Sequence, residues 1–179
     1  MWGLTELSPE EAKRIVERHI SNSSTIINLP KLTTISPEIA TELAKYEGSL
    51  FLTWLTNLSK DIAEKLATKT GEQLSLDWLT TLEKDTAEEL AKFNWLLTLD
   101  SLTSLNKDVA SVLANHTWIL QLNSLTTIDK ETATELAKKT GNVNLNWLTT
   151  VDVDVAFILQ NTEWKFSIDD WEKIEVVNP

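Results

Sequence analysis

Leu74–Ala91 reads LSLDWLTTLEKDTAEELA, and two hydrophobic periodicities meet inside it. Leu74-Ser75-Leu76 alternates apolar and polar residues, the period of a strand with one buried face. Ala87, Leu90 and Ala91 instead follow the i, i+3, i+4 spacing of a helical stripe. The stretch is therefore a strand, a turn and a short helix.

Nearly every other segment copies it in register. Anchored on a leucine followed by threonine, the copies fall at Leu32, Leu55, Leu79, Leu102, Leu125 and Leu148, with spacings of 23, 24, 23, 23 and 23 residues. A period in this range marks a solenoid. The strand columns are Ile27, Leu50, Leu74, Leu97, Leu120 and Val143, then Leu29, Leu52, Leu76, Leu99, Leu122 and Leu145. The helical columns are Ala40, Ala63, Ala87, Ala110, Ala133 and Ala156, then Leu43, Leu66, Leu90, Leu113, Leu136 and Leu159. Six full copies occupy residues 26–161 of what reads as one repeat domain over 1–179. Residues 1–25 hold a half copy, the turn and helix of Leu4 to Ala12, with a junction at Arg18 to Thr25. Residues 162–179 hold the other half, with Phe166, Ile168, Trp171 and Ile174 in the strand columns, and each half reads as a cap.

Ser8, Ser36, Ser59, Asn106, Asp129 and Asp152 stand where the helices should begin, as side chains able to accept from unpaired backbone N–H groups. Ser8 and Glu11 have the spacing of a capping box, and Pro9 and Pro37 occupy the first helical position. Helix ends are expected near Gly48, Gly71, Asn94, Asn115 and Gly141, residue types that tolerate left-handed backbone. A single unit is too small to bury its own face, so stacked neighbours must complete it. Strand-helix alternation with short connections predicts an α/β solenoid, with about seven parallel strands on one face and short helices on the other.

The pattern L-x-L-x-x-L-T-x-L/I, followed by x4-A-x2-L-A, resembles the leucine-rich repeat, and more closely a bacterial variant with units of about 23 residues. The resemblance spans about Trp2 to Ile174. It implies a concave strand face that binds proteins, and it transfers no catalytic residue. The column that holds a turn-bonding asparagine in the standard repeat is leucine here, Leu32 and its equivalents. The adjacent threonines (Thr33, Thr56, Thr80, Thr103, Thr126, Thr149) are expected to replace it with a hydroxyl ladder.

The chain carries 27 acids against 16 bases, a net charge of −11. Such a balance disfavours direct binding to nucleic acid or to an anionic membrane, and favours a partner with a basic surface. There is no cysteine, no apolar run of membrane-spanning length and no secretion signal, so a soluble, cytoplasmic protein is expected.

Tryptophan supplies the most distinctive candidates. Trp54, Trp78 and Trp147 share the column before the anchor leucine, while Trp95 and Trp118 share a column two residues before the first strand position. Stacking should bring Trp54 beside Trp78 and Trp95 beside Trp118, as hot-spot pairs or as covers for the strand ends. Trp2, Trp164 and Trp171 lie where caps are needed.

Outward strand positions give two rows. The first includes Phe51; the second is Thr53, Asp77, Asp100, Asn123, Asn146 and Asp169. Asp77 and Asp100 should be neighbours, and facing like charges call for a counter-charge unless the row is simply solvated. His19 and His116 read as helix-end residues, and no catalytic, phosphate-binding or metal motif is present, so neither enzyme activity nor a cofactor nor a metal is expected.

The expected function is a non-enzymatic protein-interaction scaffold. Its partner-binding residues are Trp54, Trp78, Trp95, Trp118, Trp147, Asp77, Asp100 and Phe51. Two alternatives remain: an acidic inhibitor that mimics nucleic acid in a basic groove, and a carbohydrate-binding module built on tryptophan platforms. The exposed ends of the stack leave an end-to-end homodimer open.

Overall fold

A computed structural model describes residues 6–162, 165–169 and 171–178. After helix α1 (Pro9–Ser21) the chain alternates β1 (Ile26–Asn28), α2 (Pro37–Ala44), β2 (Ser49–Phe51), α3 (Lys60–Ala67), β3 (Gln73–Ser75), α4 (Lys84–Leu90), β4 (Leu96–Thr98) and α5 (Lys107–Leu113). It continues through β5 (Leu120–Gln121), α6 (Lys130–Leu136), β6 (Val143–Asn144), β7 (Thr150–Asp152), α7 (Val153–Asn161), β8 (Phe166–Ser167), a 3-10 turn (Trp171–Lys173) and β9 (Glu175–Val177). Seven strands form one sheet in the order β1-β2-β3-β4-β5-β6-β8, every pair parallel. The architecture is the expected α/β solenoid, an open parallel sheet whose strands alternate with short helices.

The register follows the sequence columns: Ile27 pairs with Leu50, Leu50 with Leu74, Leu97 with Leu120, and Leu120 with Val143. Both strand columns and both helical columns are buried and join a single apolar core running the length of the stack. Each coil thus burdens its neighbours with the face it cannot cover alone.

Helix starts obey the capping chemistry. The side chains of Ser8, Ser36, Ser59, Asn106, Asp129 and Asp152 each accept the backbone N–H three residues on, and Ser8 with Glu11 completes the capping box. Only α4, begun by Glu83, lacks a side-chain cap among these helices.

Helix ends differ from expectation. None of the described glycines has positive φ; the left-handed residues are Ser23 and Lys31. Helices α2 to α6 stop instead by tightening into i to i+3 bonds, as when Tyr46 N–H donates to the Leu43 carbonyl at 3.1 Å, while α1 ends on left-handed Ser23. Gly71 is needed for space: an added Cβ would lie 1.9 Å from the Glu47 carbonyl oxygen and 2.3 Å from Lys69 Nζ.

Two further corrections concern the ends of the stack. Half of the expected junction is helical, since α1 runs through Ser21. Beyond the returning strand β8, the chain makes the 3-10 turn and adds β9 alongside β7, pairing Val151 with Val176. That offset of 25 residues exceeds the repeat by two, so the last strand caps the turn layer out of phase. Trp171 packs against the core; Trp2 and Trp164 lie outside the described residues. Among the described residues no helix is long and apolar enough to cross a membrane.

Candidate functional site

The outward strand positions line up as the columns required. Asn28, Phe51, Ser75, Thr98, Gln121, Asn144 and Ser167 are successive register partners across the sheet. Phe51 is half-buried in this row, while Ser75 and Thr98 in its middle are buried.

The second row is a hydrogen-bonded ladder. Asp77 Oδ1 accepts the Asp100 N–H at 3.4 Å, Asp100 Oδ1 accepts the Asn123 N–H at 3.0 Å, and Asn123 Oδ1 accepts the Asn146 N–H at 3.2 Å. The expected threonine ladder is therefore replaced. The threonine column from Thr56 onward is exposed, and its one such bond joins Thr149 Oγ1 to the Thr126 carbonyl at 3.3 Å. Asp77 and Asp100 thus each hold one carboxylate oxygen on a backbone amide of the next coil. Asp77 Oδ2 also accepts from Ser75 Oγ. Burial pushes the Asp100 carboxyl above its ordinary range, opposed by the Asn123 N–H and reinforced by the charge on Asp77.

Five tryptophans stand at the two ends of the strands, and all are exposed, from 38% at Trp54 to 64% at Trp147. Trp54 and Trp78, beyond the ends of β2 and β3, stack with centroids 4.2 Å apart and planes 16° from parallel. Trp95 and Trp118, before β4 and β5, meet at 5.8 Å and 56°. The pairs lie at opposite ends of the strands and in different repeats. Trp147 shares the column of Trp54 and Trp78 but is separated from them by Ser101 and Ser124.

One set of residues was not anticipated. Three positions after the second helical column runs a buried file of Tyr46, Lys69, Phe93, His116 and Lys139. Tyr46 Oη donates to the Ser24 carbonyl at 2.7 Å, and Lys139 Nζ donates to the Trp118 carbonyl. Lys69 Nζ has no hydrogen-bond partner. Burial pushes the Lys69 amine down to about 8, against the attraction of Glu72 and Glu47, and burial alone brings Lys139 to about 8.

His116 sits at the end of α5, where its N–H donates to the Leu113 carbonyl at 3.0 Å, and it also belongs to this file: it is wholly buried and neither ring nitrogen makes a hydrogen bond. Burial holds its imidazole down to about 4, helped by the charge on Lys139, although the Trp95 and Trp118 carbonyls favour the charged form. His19 does sit at a helix end, with Nδ1 2.7 Å from the Ile15 carbonyl and its ring edge-on to Tyr46. Among the described residues no group of three or more His, Asp or Glu could hold a metal ion.

The face thus combines a rigid floor, exposed aromatic rims and carboxylates braced by backbone amides. Chemically, such a surface can bury apolar groups and attract cations. No protein-family model matches the chain, and no curated protein matches it.

Proposed function

We propose that the chain is a non-enzymatic scaffold of the leucine-rich-repeat type that binds a partner protein through its strand face. Trp54, Trp78, Trp95 and Trp118 serve as apolar anchors, Phe51 and Trp147 extend the surface, and Asp77 and Asp100 select a partner with basic residues. One observation carries this reading: five tryptophans at the two ends of the strands keep 38–64% of their surface exposed while the aliphatic columns of the same strands are buried. Residues needed only to seal the core would be covered by it, whereas exposed paired indoles are the side chains in which binding energy concentrates.

Two other uses have less support. A sugar platform needs free ring faces, and Trp54 and Trp78 spend one face each on the other. A nucleic-acid mimic needs exposed, uncommitted acids, yet Asp152 caps α7 and Asp154 pairs with Lys130 at 2.8 Å.

The test is cross-linking in source lysate to isolate a partner, followed by titration of the purified pair. Replacing Trp54 and Trp78 by alanine should weaken binding at least tenfold while leaving the circular dichroism unchanged. Unaltered affinity after replacement of all four paired tryptophans would remove this surface from the reading.

A further inference from the structure

The column of Trp54, Trp78, Ser101, Ser124 and Trp147 is an interrupted stack. Trp54 and Trp78 lie nearly parallel and 4.2 Å apart, close to the strand spacing of about 4.8 Å, so their ring normals run along the array. The face of Trp78 turned away from Trp54 therefore looks toward Ser101. Two half-buried serines stand where the next two indoles would be, and Trp147 returns three strand spacings on, about 14 Å from Trp78. The third place in the stack thus falls over a small residue.

That place has an anion beside it. Asp100 immediately precedes Ser101, its carboxylate half-buried and braced by the Asn123 N–H. Five lysines, Lys45, Lys65, Lys92, Lys130 and Lys138, stand on helices or just past their ends and pair with carboxylates of the helix layer. A planar cation suits both walls at once: a guanidinium stacks on an indole face and pairs with a carboxylate through its edge. An ammonium lacks the plane, and a neutral aromatic leaves Asp77 and Asp100 without a counter-charge.

We propose that the open place over Ser101 takes an arginine side chain of the partner protein, stacked on Trp78 as the third layer of the Trp54–Trp78 pair and ion-paired with Asp100. This rests on the strand-face reading above and specifies the chemistry of its partner.

The test uses the full chain labelled at the indole N–H groups, titrated with N-acetyl-arginine amide, its neutral isostere N-acetyl-citrulline amide, and N-acetyl-lysine amide. The arginine probe should shift the Trp78 indole resonance saturably and bind at least tenfold more tightly than either of the others. Ser101→Trp fills the place and should abolish the shift, and Asp100→Asn, which keeps the ladder acceptor, should weaken it at least fivefold. Equal response to arginine and citrulline overturns the proposal, as does an arginine shift that survives Ser101→Trp. If the arginine probe fails while partner binding still depends on Trp54 and Trp78, this inference falls and the scaffold reading stands. If the probe behaves as expected but the tryptophan variants bind partner normally, the scaffold reading falls.

Discussion

Asp100 reaches across one repeat, so that its Oδ1 accepts the backbone N–H of Asn123 at 3.0 Å. The same bond is made by Asn123 to Asn146, so the ladder requires an acceptor oxygen and not a charge. Asp100→Asn should therefore keep stability within about 0.5 kcal/mol, whereas Asp100→Ala, which strands a half-buried amide, should cost about 1–2 kcal/mol. Since burial raises the folded carboxyl, wild type should lose stability relative to Asp100→Asn as pH rises through the carboxylate range. Urea unfolding of the three proteins between pH 3 and 7 measures both effects.

Lys69 and Lys139 occupy equivalent places, but only Lys139 has a hydrogen-bond acceptor. Removing an unpartnered buried ammonium relieves its desolvation, so Lys69→Met should stabilise the fold by about 1–3 kcal/mol, and Lys139→Met by less. Both amines are depressed to about 8 in the folded chain, so the unfolded chain binds more protons above that pH. Thermal stability should rise from about pH 8 toward the ordinary lysine range near 10.5, and the double methionine variant should lose that rise. His116 acts at the other end: held down to about 4, it should cost stability as pH falls from about 6.5 toward 4, and His116→Phe should flatten that limb.

Gly71 abuts the Glu47 carbonyl, and backbone cannot move aside as a side chain can. Gly71→Ala should destabilise by about 1–3 kcal/mol despite an ordinary φ, read from the midpoint of denaturant unfolding. Shortening the neighbouring side chain through Lys69→Ala should not rescue it, because the carbonyl contact persists.

The Trp54–Trp78 stack should give an exciton-coupled signal in circular dichroism that either single alanine substitution removes. A double-mutant cycle on the pair should return a coupling of about 0.5–1.5 kcal/mol. A coupling of zero would mean that the rings do not stack in solution.

Much of this was legible in the residues because columns of one chemical type advertise a shared environment. Leucines at 29, 52, 76, 99, 122 and 145 declare a buried row, and the paired tryptophans follow from register alone. The file of Tyr46, Lys69, Phe93, His116 and Lys139 was not legible by chemistry, because its members share length and burial but no side-chain type. Its signal lies in the positions after it: glycine follows two residues after Tyr46, Lys69 and Lys139, and tryptophan follows Phe93 and His116. A polar tip claims the space that a Cβ would fill, as Lys69 Nζ does beside Gly71. The aspartate ladder was misread for a related reason, since a side chain serving the adjacent coil leaves no mark within its own coil.

The uniform direction of the strands reaches beyond the single molecule. One terminal edge of the sheet belongs to β1 and the other to β8, and because all strands point the same way the two edges can pair with each other in the parallel sense. Copies that meet β1 to β8 join head to tail, and each addition regenerates the surface just consumed. Such contact grows a filament, whereas two like edges pairing antiparallel about a two-fold axis close an end-to-end dimer.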